Sequence, residues 1–240
     1  MEFLQTQPRI RLVIFDLDGT LIDSKTDLAR SVNATLRHLG RPPLDAQTIY
    51  SYVGQGAEAL IARAVGDGIT RAEVSRGLHF FIHYYRQHKL DHTTLYPGVR
   101  ETLVRLAKHD GAERRVLAVL TNKPEFVSRE IIEELELGRL FRFVYGGNSF
   151  ENKKPDPVGV HALLHDTGVS PRQTMIVGDS DVDIVTGARA GVWTCGVTYG
   201  FGALELGSNP PDLLVDSLPE LAEALDGGAP ADLAGPRGSD

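Results

Sequence analysis

Six short apolar runs recur along the chain, and residues typical of turns follow each of them. Their side chains are apolar at successive positions rather than at alternate ones, which favours strands that are covered on both faces of a parallel sheet. The runs are 12–15, 116–120, 143–145, 175–177, 192–197 and 213–215. Segments with helical periodicity separate most of these runs, so the pattern predicts an α/β fold with a doubly wound parallel sheet.

Two of the separating segments, 125–136 and 158–166, have apolar side chains at near-helical spacing and are predicted to be crossover helices. The first connection is different, because residues 16–115 separate the first two runs and are too many for a single crossover. Apolar residues recur with helical period over 27–39 and 72–87. A small helical domain is therefore predicted between the first two strands of the sheet.

The inserted domain is predicted to span 24–95, with the turn sequence Tyr96-Pro97-Gly98 marking the return to the core. The α/β core then comprises 1–23 and 96–225. Residues 226–240 are mainly Gly, Pro, Ala and charged residues, and we expect them to form a disordered tail.

Composition excludes several classes of function. The chain has 240 residues, 42% of them hydrophobic, which is typical of a globular protein that buries a core. It has 25 Lys and Arg against 32 Asp and Glu, so its formal net charge is −7. This balance argues against a broad electrostatic surface for nucleic acid or anionic lipid, and any anionic substrate must be bound by local positive charge.

The single cysteine, Cys195, lies in an apolar run, and we expect it to be a buried strand residue in a reducing compartment. Residues 1–9 lack the apolar segment of a signal peptide, and no apolar run approaches the roughly 18 residues that span a bilayer. We therefore expect a cytoplasmic protein that does not contact a membrane.

Two acidic residues, Asp16 and Asp18, follow the first predicted strand directly. The carboxyl ends of parallel strands are where α/β sheets place their binding sites. One alternative is a turn with solvated acids, and another is a calcium loop. A calcium loop of the EF-hand type requires an acid or Asn at its fifth position and Gly at its sixth, where this chain has Thr20 and Leu21. A functional pair of carboxylates is the favoured interpretation.

A second acidic cluster follows the fourth predicted strand and consists of Asp179, Asp181 and Asp183. Taken alone, it is equally typical of the acidic first turn of a helix. Together with the first pair it predicts a site for Mg²⁺, which binds one or two carboxylates and completes its octahedron with water and phosphate oxygens.

Two further strand ends carry groups that suit a phosphoryl ligand. Thr121, Asn122 and Lys123 follow the second strand, and Lys154 lies in a Lys-Pro-x-Pro sequence after the third. Each feature alone is typical of an ordinary turn or a solvated surface. Four polar strand ends in this order favour a phosphate site.

This ordered set resembles the haloacid dehalogenase superfamily of phosphohydrolases over about residues 10–218. The matching motifs are Asp16-x-Asp18-Gly19-Thr20, Thr121-Asn122, Lys154 in Lys-Pro-x-Pro, and Gly178-Asp179 with Asp183. The resemblance implies a Rossmann-like core with a helical cap of the family's first type. It also implies a reaction through an aspartyl phosphate.

The resemblance assigns a role to each motif residue. Asp16 matches the nucleophile and Asp18 the general acid/base, while Thr121 and Lys154 bind the phosphoryl group. Asp16, Asp18 and Asp179 are the implied Mg²⁺ ligands. Asp183 would orient Lys154 or a metal-bound water.

Three segments are similar to bacterial phosphoglycolate phosphatases, namely 16–24, 52–60 in the cap, and 121–124. The residues expected to bind the substrate are Thr20, Asn122, Lys123, Gly54, Gln55 and Gly56. The two cap glycines would let backbone amides approach a small ligand, and cap closure would exclude water. A substrate carboxylate also needs a cation; Lys123 is our first choice, ahead of Lys25, Arg30 and Arg63.

The expected partner is a small phosphorylated metabolite, with the chain a monomer or a homodimer. Alternatives within the family are a phosphatase for a sugar phosphate or pyrophosphate, and a phosphomutase. A noncatalytic phosphate- or metal-binding regulator is the alternative outside enzymes. The intact Asp16 and Asp18 argue against such a regulator.

Overall fold

The computed structural model describes residues 9–66, 68, 70–108, 115–202, 204 and 209–226. The strands in chain order are β1 (Leu12–Phe15), β2 (Ile22–Asp23), β3 (Thr94–Leu95), β4 (Val116–Leu120), β5 (Phe143–Tyr145), β6 (Thr174–Gly178), β7 (Trp193–Val197) and β8 (Leu213–Val215). Within the described residues, six of them form one sheet in the order β5-β4-β1-β6-β7-β8, and every pairing in it is parallel. The six predicted strands and the α/β fold class are confirmed.

β1 lies at the centre of this sheet because both of its faces are apolar. Val13 and Phe15 pack in one hydrophobic cluster, whereas Leu12 and Ile14 pack in a second one. All four side chains are fully buried. A strand with this pattern has helices on both faces, as the continuous apolar run predicts.

The order of the strands brings the functional sequence motifs together. β1 pairs with β4 on one side and with β6 on the other. The chain runs outward from β1 to β4 and β5 and then crosses to β6 on the other side of β1. Such a reversal of strand order opens a crevice at the carboxyl edge of the sheet. The residues that follow β1, β4 and β6 therefore share one edge.

The helices in chain order are α1 (Lys25–His38), α2 (Ala46–Tyr50), α3 (Ala57–Val65), α4 (Arg71–His88), α5 (Val99–Ala107), α6 (Glu125–Glu134), α7 (Val158–Thr167), α8 (Asp181–Ala190) and α9 (Leu218–Asp226). The four helices predicted from periodicity correspond to α1, α4, α6 and α7. In the segment 52–60, the last four residues belong to α3, which begins at Ala57.

The segment between β2 and β3 contains α1 to α4 and forms a helical cap over the carboxyl edge. The antiparallel ribbon of β2 and β3 joins the two ends of this segment. Asp27, at the start of α1, accepts hydrogen bonds from the backbone N–H groups of His92 and Thr93, so the entering and leaving chains are held side by side. This ribbon supports, as a proposal, a division between core and cap at residues 24 and 95.

Cys195 is buried in β7, as predicted. The tail predicted for 226–240 lies outside the described residues, except for Asp226, which ends α9. Among the described residues, the helices are all too short or too polar to cross a bilayer.

Candidate active site

Asp16 occupies the centre of the site because it follows the central strand. Its backbone N–H donates to the Val177 carbonyl at 2.9 Å, which continues the pairing of β1 with β6. Its Oδ1 lies 3.0 Å from the Lys154 ammonium. The carboxylates of Asp16, Asp179 and Asp183 offer oxygens that all lie within 4.8 Å of one another. The strand ends thus converge on one small polar volume.

Lys154 is the cation that balances part of this acidic cluster. Its ammonium donates to Asp183 Oδ1 at 2.6 Å, in addition to its ion pair with Asp16. Burial alone would lower the pKa of Lys154, but the attraction of Asp16 and Asp183 outweighs it and the pKa is raised. Lys154 is therefore a fixed positive charge. Of the two roles expected for Asp183, the structure shows the contact with Lys154.

Asp183 is held by the first turn of α8. Ser180 and Asp183 form a capping box, and Asp183 Oδ2 accepts from the Ser180 hydroxyl at 2.8 Å. One carboxylate oxygen thus stabilises the helix start while the other binds Lys154. The local requirement for a cap fixes the rotamer of an active-site acid.

Asp179 follows β6 and is held from three directions. Its Oδ2 accepts from the backbone N–H groups of Phe201 and Gly202 at 2.7 and 2.8 Å, and its Oδ1 accepts from the Thr20 hydroxyl at 3.3 Å. Gly19 lies directly against it with φ of +85°, and a Cβ atom there would be 2.2 Å from Asp179 Oδ2. Only glycine fits this approach of the two loops.

Burial and mutual repulsion raise the pKa values of two acids in the cluster. Burial raises the pKa of Asp16 to about 7, with Asp183 and Asp179 adding to the shift and Lys154 and the Thr121 hydroxyl opposing it. Burial and the neighbouring Asp183 raise the pKa of Asp179 to about 6, although the N–H groups of Gly202 and Phe201 oppose the rise.

Three carboxylates around one lysine have a deficit of positive charge, and all their donor atoms are hard oxygens. The residues present therefore fit a divalent cation.

Asp18 has a different environment from Asp16, although one residue separates them. Its Oδ1 accepts from the Ser24 hydroxyl at 2.5 Å, and both of its oxygens accept from the Lys123 ammonium at 2.9 Å. Its carboxylate is outside the cluster of Asp16, Asp179 and Asp183. The predicted role of Asp18 as a metal ligand stays a prediction, whereas Asp183, expected only to support the site, contributes an oxygen to that cluster.

The loop after β4 connects the core to the cap. The side-chain amide of Asn122 donates to the carbonyls of Gly54 and Lys154, each at 2.9 Å. The Thr121 hydroxyl accepts from the backbone N–H of Lys123 at 3.3 Å. Asn122 therefore links a cap loop with the Lys154 loop.

A cavity of about 410 Å³ lies between the core and the cap. Its core wall is polar and contains Asp16, Asp18, Thr121, Asn122, Lys123 and Asp179. Its cap wall is largely apolar and contains Leu28, Tyr50, Val53, Leu60, Phe81, Ile82 and Tyr85. The six predicted residues of the core wall thus form one side of a cleft, which is the usual shape of a small-molecule site, whereas Lys154 is not among the described residues that line it.

Only some of the residues predicted to bind substrate line the cavity. Asn122, Lys123, Gly54 and Gly56 line the cavity, whereas Thr20 is fully buried against Asp179. The Gln55 side chain accepts a hydrogen bond from Arg63 on the cap.

The four candidate cations for a substrate carboxylate lie in different surroundings. Lys123 is the one lysine or arginine among the described cavity-lining residues. Lys25 lies over the Phe201 ring, Arg30 contacts His92, and Arg63 binds Gln55.

Tyr85 is a site residue that the sequence does not indicate. Tyr85 is 2% exposed and its ring stacks on Phe81, but its hydroxyl accepts from Lys123 at 2.8 Å. Its four-residue spacing from Phe81 is typical of packing, and nothing in the sequence indicates a contact 38 residues away.

Fold and site together define a capped α/β enzyme, with paired carboxylates, a fixed lysine and a place for a divalent cation at the carboxyl edge of its sheet. The chain belongs to the haloacid dehalogenase-like hydrolases, whose family model matches residues 13–197. The sequence-based identification of the family is confirmed, and the protein is a hydrolase of that family.

Two relatives show how far the similarity extends. The chain is 40% identical to a phosphoglycolate phosphatase of Pseudomonas putida over 215 residues, which are 87% of this chain and 77% of the relative. It is also 40% identical to a phosphoglycolate phosphatase of Chromobacterium violaceum, over 91% of this chain and 98% of the relative.

Among solved structures, a predicted phosphoglycolate phosphatase of Haemophilus somnus superposes with a TM-score of 0.83 at 32% identity. The match covers 91% of this chain and 98% of that one. The similarity therefore includes cap and core alike.

Proposed function

We propose that this protein is a Mg²⁺-dependent phosphatase that hydrolyses 2-phosphoglycolate to glycolate and phosphate through a phosphorylated Asp16. The observation that carries the proposal is the unlike environment of two neighbouring carboxylates. Asp16 lies with Lys154 among the metal-type acids, whereas Asp18 lies with Lys123 and Ser24. Two acids whose environments differ in this way suit the roles of nucleophile and proton carrier.

In the first step a carboxylate oxygen of Asp16 attacks phosphorus and the bond to the leaving oxygen breaks. Asp18, in its protonated form, donates a proton to that oxygen, and glycolate leaves. Lys154 and the Thr121 hydroxyl bind the phosphoryl oxygens. Asp16 and Asp179 would hold Mg²⁺, which when bound would supply further charge neutralisation and so reduce repulsion between the substrate and Asp16.

In the second step Asp18 accepts a proton from water as the water oxygen attacks phosphorus. The bond between Asp16 and phosphorus breaks, phosphate leaves and the Asp16 carboxylate is restored. Lys123 suits this step because its ammonium contacts both Asp18 oxygens and holds the carboxyl group in one place for the proton transfer.

The cavity supports a small anionic substrate. Lys123 faces it from the core and is the candidate partner of a substrate carboxylate, as expected from its place beside Thr121. Gly54 and Gly56 line the opposite side, where backbone amides at the start of α3 can approach the ligand. The names of the relatives support 2-phosphoglycolate over other esters.

The test is phosphate release from a panel of small esters that includes 2-phosphoglycolate, a sugar phosphate, pyrophosphate and a phosphomutase substrate. Each is assayed with Mg²⁺ and with EDTA, beside an Asp16→Asn control. We expect 2-phosphoglycolate to lead by at least about tenfold in kcat/KM, and EDTA and the substitution each to abolish turnover.

A different leading ester would overturn the substrate assignment and leave the phosphatase. Activity of the Asp16→Asn variant at the wild-type level would overturn the role of Asp16. Well-folded protein without any phosphatase activity would favour a mutase or a regulator.

A further inference from the structure

Tyr85 is a cap residue in direct contact with Lys123 of the core. Its side chain extends from α4 into the cavity, and its hydroxyl oxygen accepts a hydrogen bond from Lys123 Nζ at 2.8 Å. The same ammonium lies 4.5 Å from the centroid of the Tyr85 ring. The ring is itself fixed by parallel stacking on Phe81, with centroids 5.6 Å apart. Tyr85 is thus held rigidly over the end of Lys123.

Lys123 has its three donors directed to three acceptors. They are Asp18 Oδ1, Asp18 Oδ2 and the Tyr85 hydroxyl. The Lys123 side chain is 4% exposed. A lysine has a long flexible stem, and it needs neighbours to hold it in one geometry. In this site Asp18 supplies one side of the required support and Tyr85 supplies the other.

The protonation states suit this arrangement. Burial raises the pKa of Tyr85 to about 12, with Lys123 opposing the rise, so the hydroxyl is neutral near pH 7. Burial alone would lower the pKa of Lys123, but attraction by Asp18 and Tyr85 outweighs it and the pKa is raised. Tyr85 therefore accepts a hydrogen bond from a charged lysine.

We propose that Tyr85 is a positioning residue that the cap supplies to the core, and that it holds Lys123 against Asp18. The acid/base carboxylate of the core is then fully supported only when α4 lies over it. Packing alone does not require the hydroxyl, since phenylalanine would fill the same apolar wall and stack on Phe81 equally well.

The proposal rests on the proposed function for its kinetic readout, and a second readout is independent of it. The principal variant is Tyr85→Phe, which removes one oxygen and keeps the ring. The matched control is Tyr84→Phe, one position earlier in α4. The Tyr84 ring stacks between Phe80 and His88, away from the site. Lys123→Met and the double variant with Tyr85→Phe complete a double-mutant cycle.

We expect Tyr85→Phe to lower kcat by about tenfold, because it loosens the support of Asp18, and to change KM by less than about threefold, because Lys123 keeps its charge for the substrate carboxylate. Tyr84→Phe should match the wild type. In the Lys123→Met background, Tyr85→Phe should change kcat by less than about twofold, since it acts through the missing lysine.

An unchanged kcat in Tyr85→Phe, an equal loss in both backgrounds, or a loss confined to KM would each overturn the proposal.

The second readout is reductive methylation of Lys123, followed by mass spectrometry without substrate. Lys123 should be protected in the wild type and in Tyr84→Phe, and several-fold more reactive in Tyr85→Phe. Equal protection in all three proteins would contradict a positioning role. If the wild type hydrolyses no ester, the proposed function fails, and this readout still decides the role of Tyr85.

Discussion

The two walls of the cavity are built in opposite ways. On the core wall, Asp16, Asp18 and Asp179 follow buried strands, and each has charged or hydrogen-bonded partners at a short distance. On the cap wall, apolar side chains from α1, α3 and α4 pack together, and Tyr85 adds a hydroxyl. The difference indicates that strand order places the charged and polar groups of the cavity, whereas helix packing places the apolar side chains opposite them.

The largest effect on the core wall, after loss of Asp16, is expected from Asp183→Asn. Asp183 is the acid that holds Lys154 through a hydrogen bond of 2.6 Å. Removing its charge should lower kcat by about 10- to 100-fold, as is typical for outer partners of a reacting group. KM should change less.

Steady-state kinetics would measure both constants, and circular dichroism would show that the total helical content is kept. A variant with full kcat would mean that Lys154 needs no partner beyond Asp16.

On the cap wall, Gly56→Ala is expected to raise KM by roughly tenfold. Gly56 has φ of +87°, and a Cβ atom there would lie 3.0 Å from Lys153 Nζ and 3.1 Å from the Asn122 carbonyl oxygen. The added methyl group would push the cap loop away from the core.

Gly66→Ala is the matched control, because Gly66 has φ of +81° and open space around it. It introduces the same kind of backbone strain, about 1–3 kcal/mol, without the contact. Equal KM values in the two variants would show that strain, and not the approach of cap to core, accounts for the effect.

The acidic cluster makes the metal-free protein sensitive to pH. The pKa of Asp179 is raised from 3.8 to about 6, so the folded state holds this proton more tightly than the unfolded state does. The resulting stability is present below pH 4 and is lost as the pH rises through 6. Asp16, with its pKa raised to about 7, extends the loss to higher pH.

Urea unfolding in EDTA at several pH values between 5 and 8 would measure how the free energy of unfolding changes with pH. The free energy of unfolding should fall with pH more steeply for the wild type than for Asp179→Asn, and Mg²⁺ should reduce the fall. A steeper fall in the variant would contradict the assigned pKa shifts.

The smallest effect is expected where cap and core meet outside the cavity. Arg86 on α4 pairs with Glu130 on α6, but its side chain is 57% exposed. Exposed ion pairs contribute little, because water and salt screen them. Arg86→Gln should leave kcat and KM within about twofold of the wild type. A larger loss would show that this pair holds the cap over the site.

The same contrast explains what the sequence could predict. The strands around Asp16, Thr121 and Asp179 are short continuous apolar runs, and their polar ends follow directly, so the edge of the sheet could be inferred without a structure. The contact of Tyr85 with Lys123 could not, because it depends on how α4 packs against the core. Likewise, the side-chain partners of Asp18 depend on where β4 places the following loop.

The most direct test of the unlike roles of the two neighbouring acids is to trap the phosphorylated enzyme. Wild type, Asp16→Asn and Asp18→Asn would be mixed with 2-phosphoglycolate and Mg²⁺, quenched rapidly in acid, digested and analysed by mass spectrometry. We predict one phosphoryl group on Asp16 in the wild type and none in Asp16→Asn. A phosphoryl group on Asp18, or turnover by Asp16→Asn at the wild-type rate, would contradict the assignment of Asp16 as nucleophile.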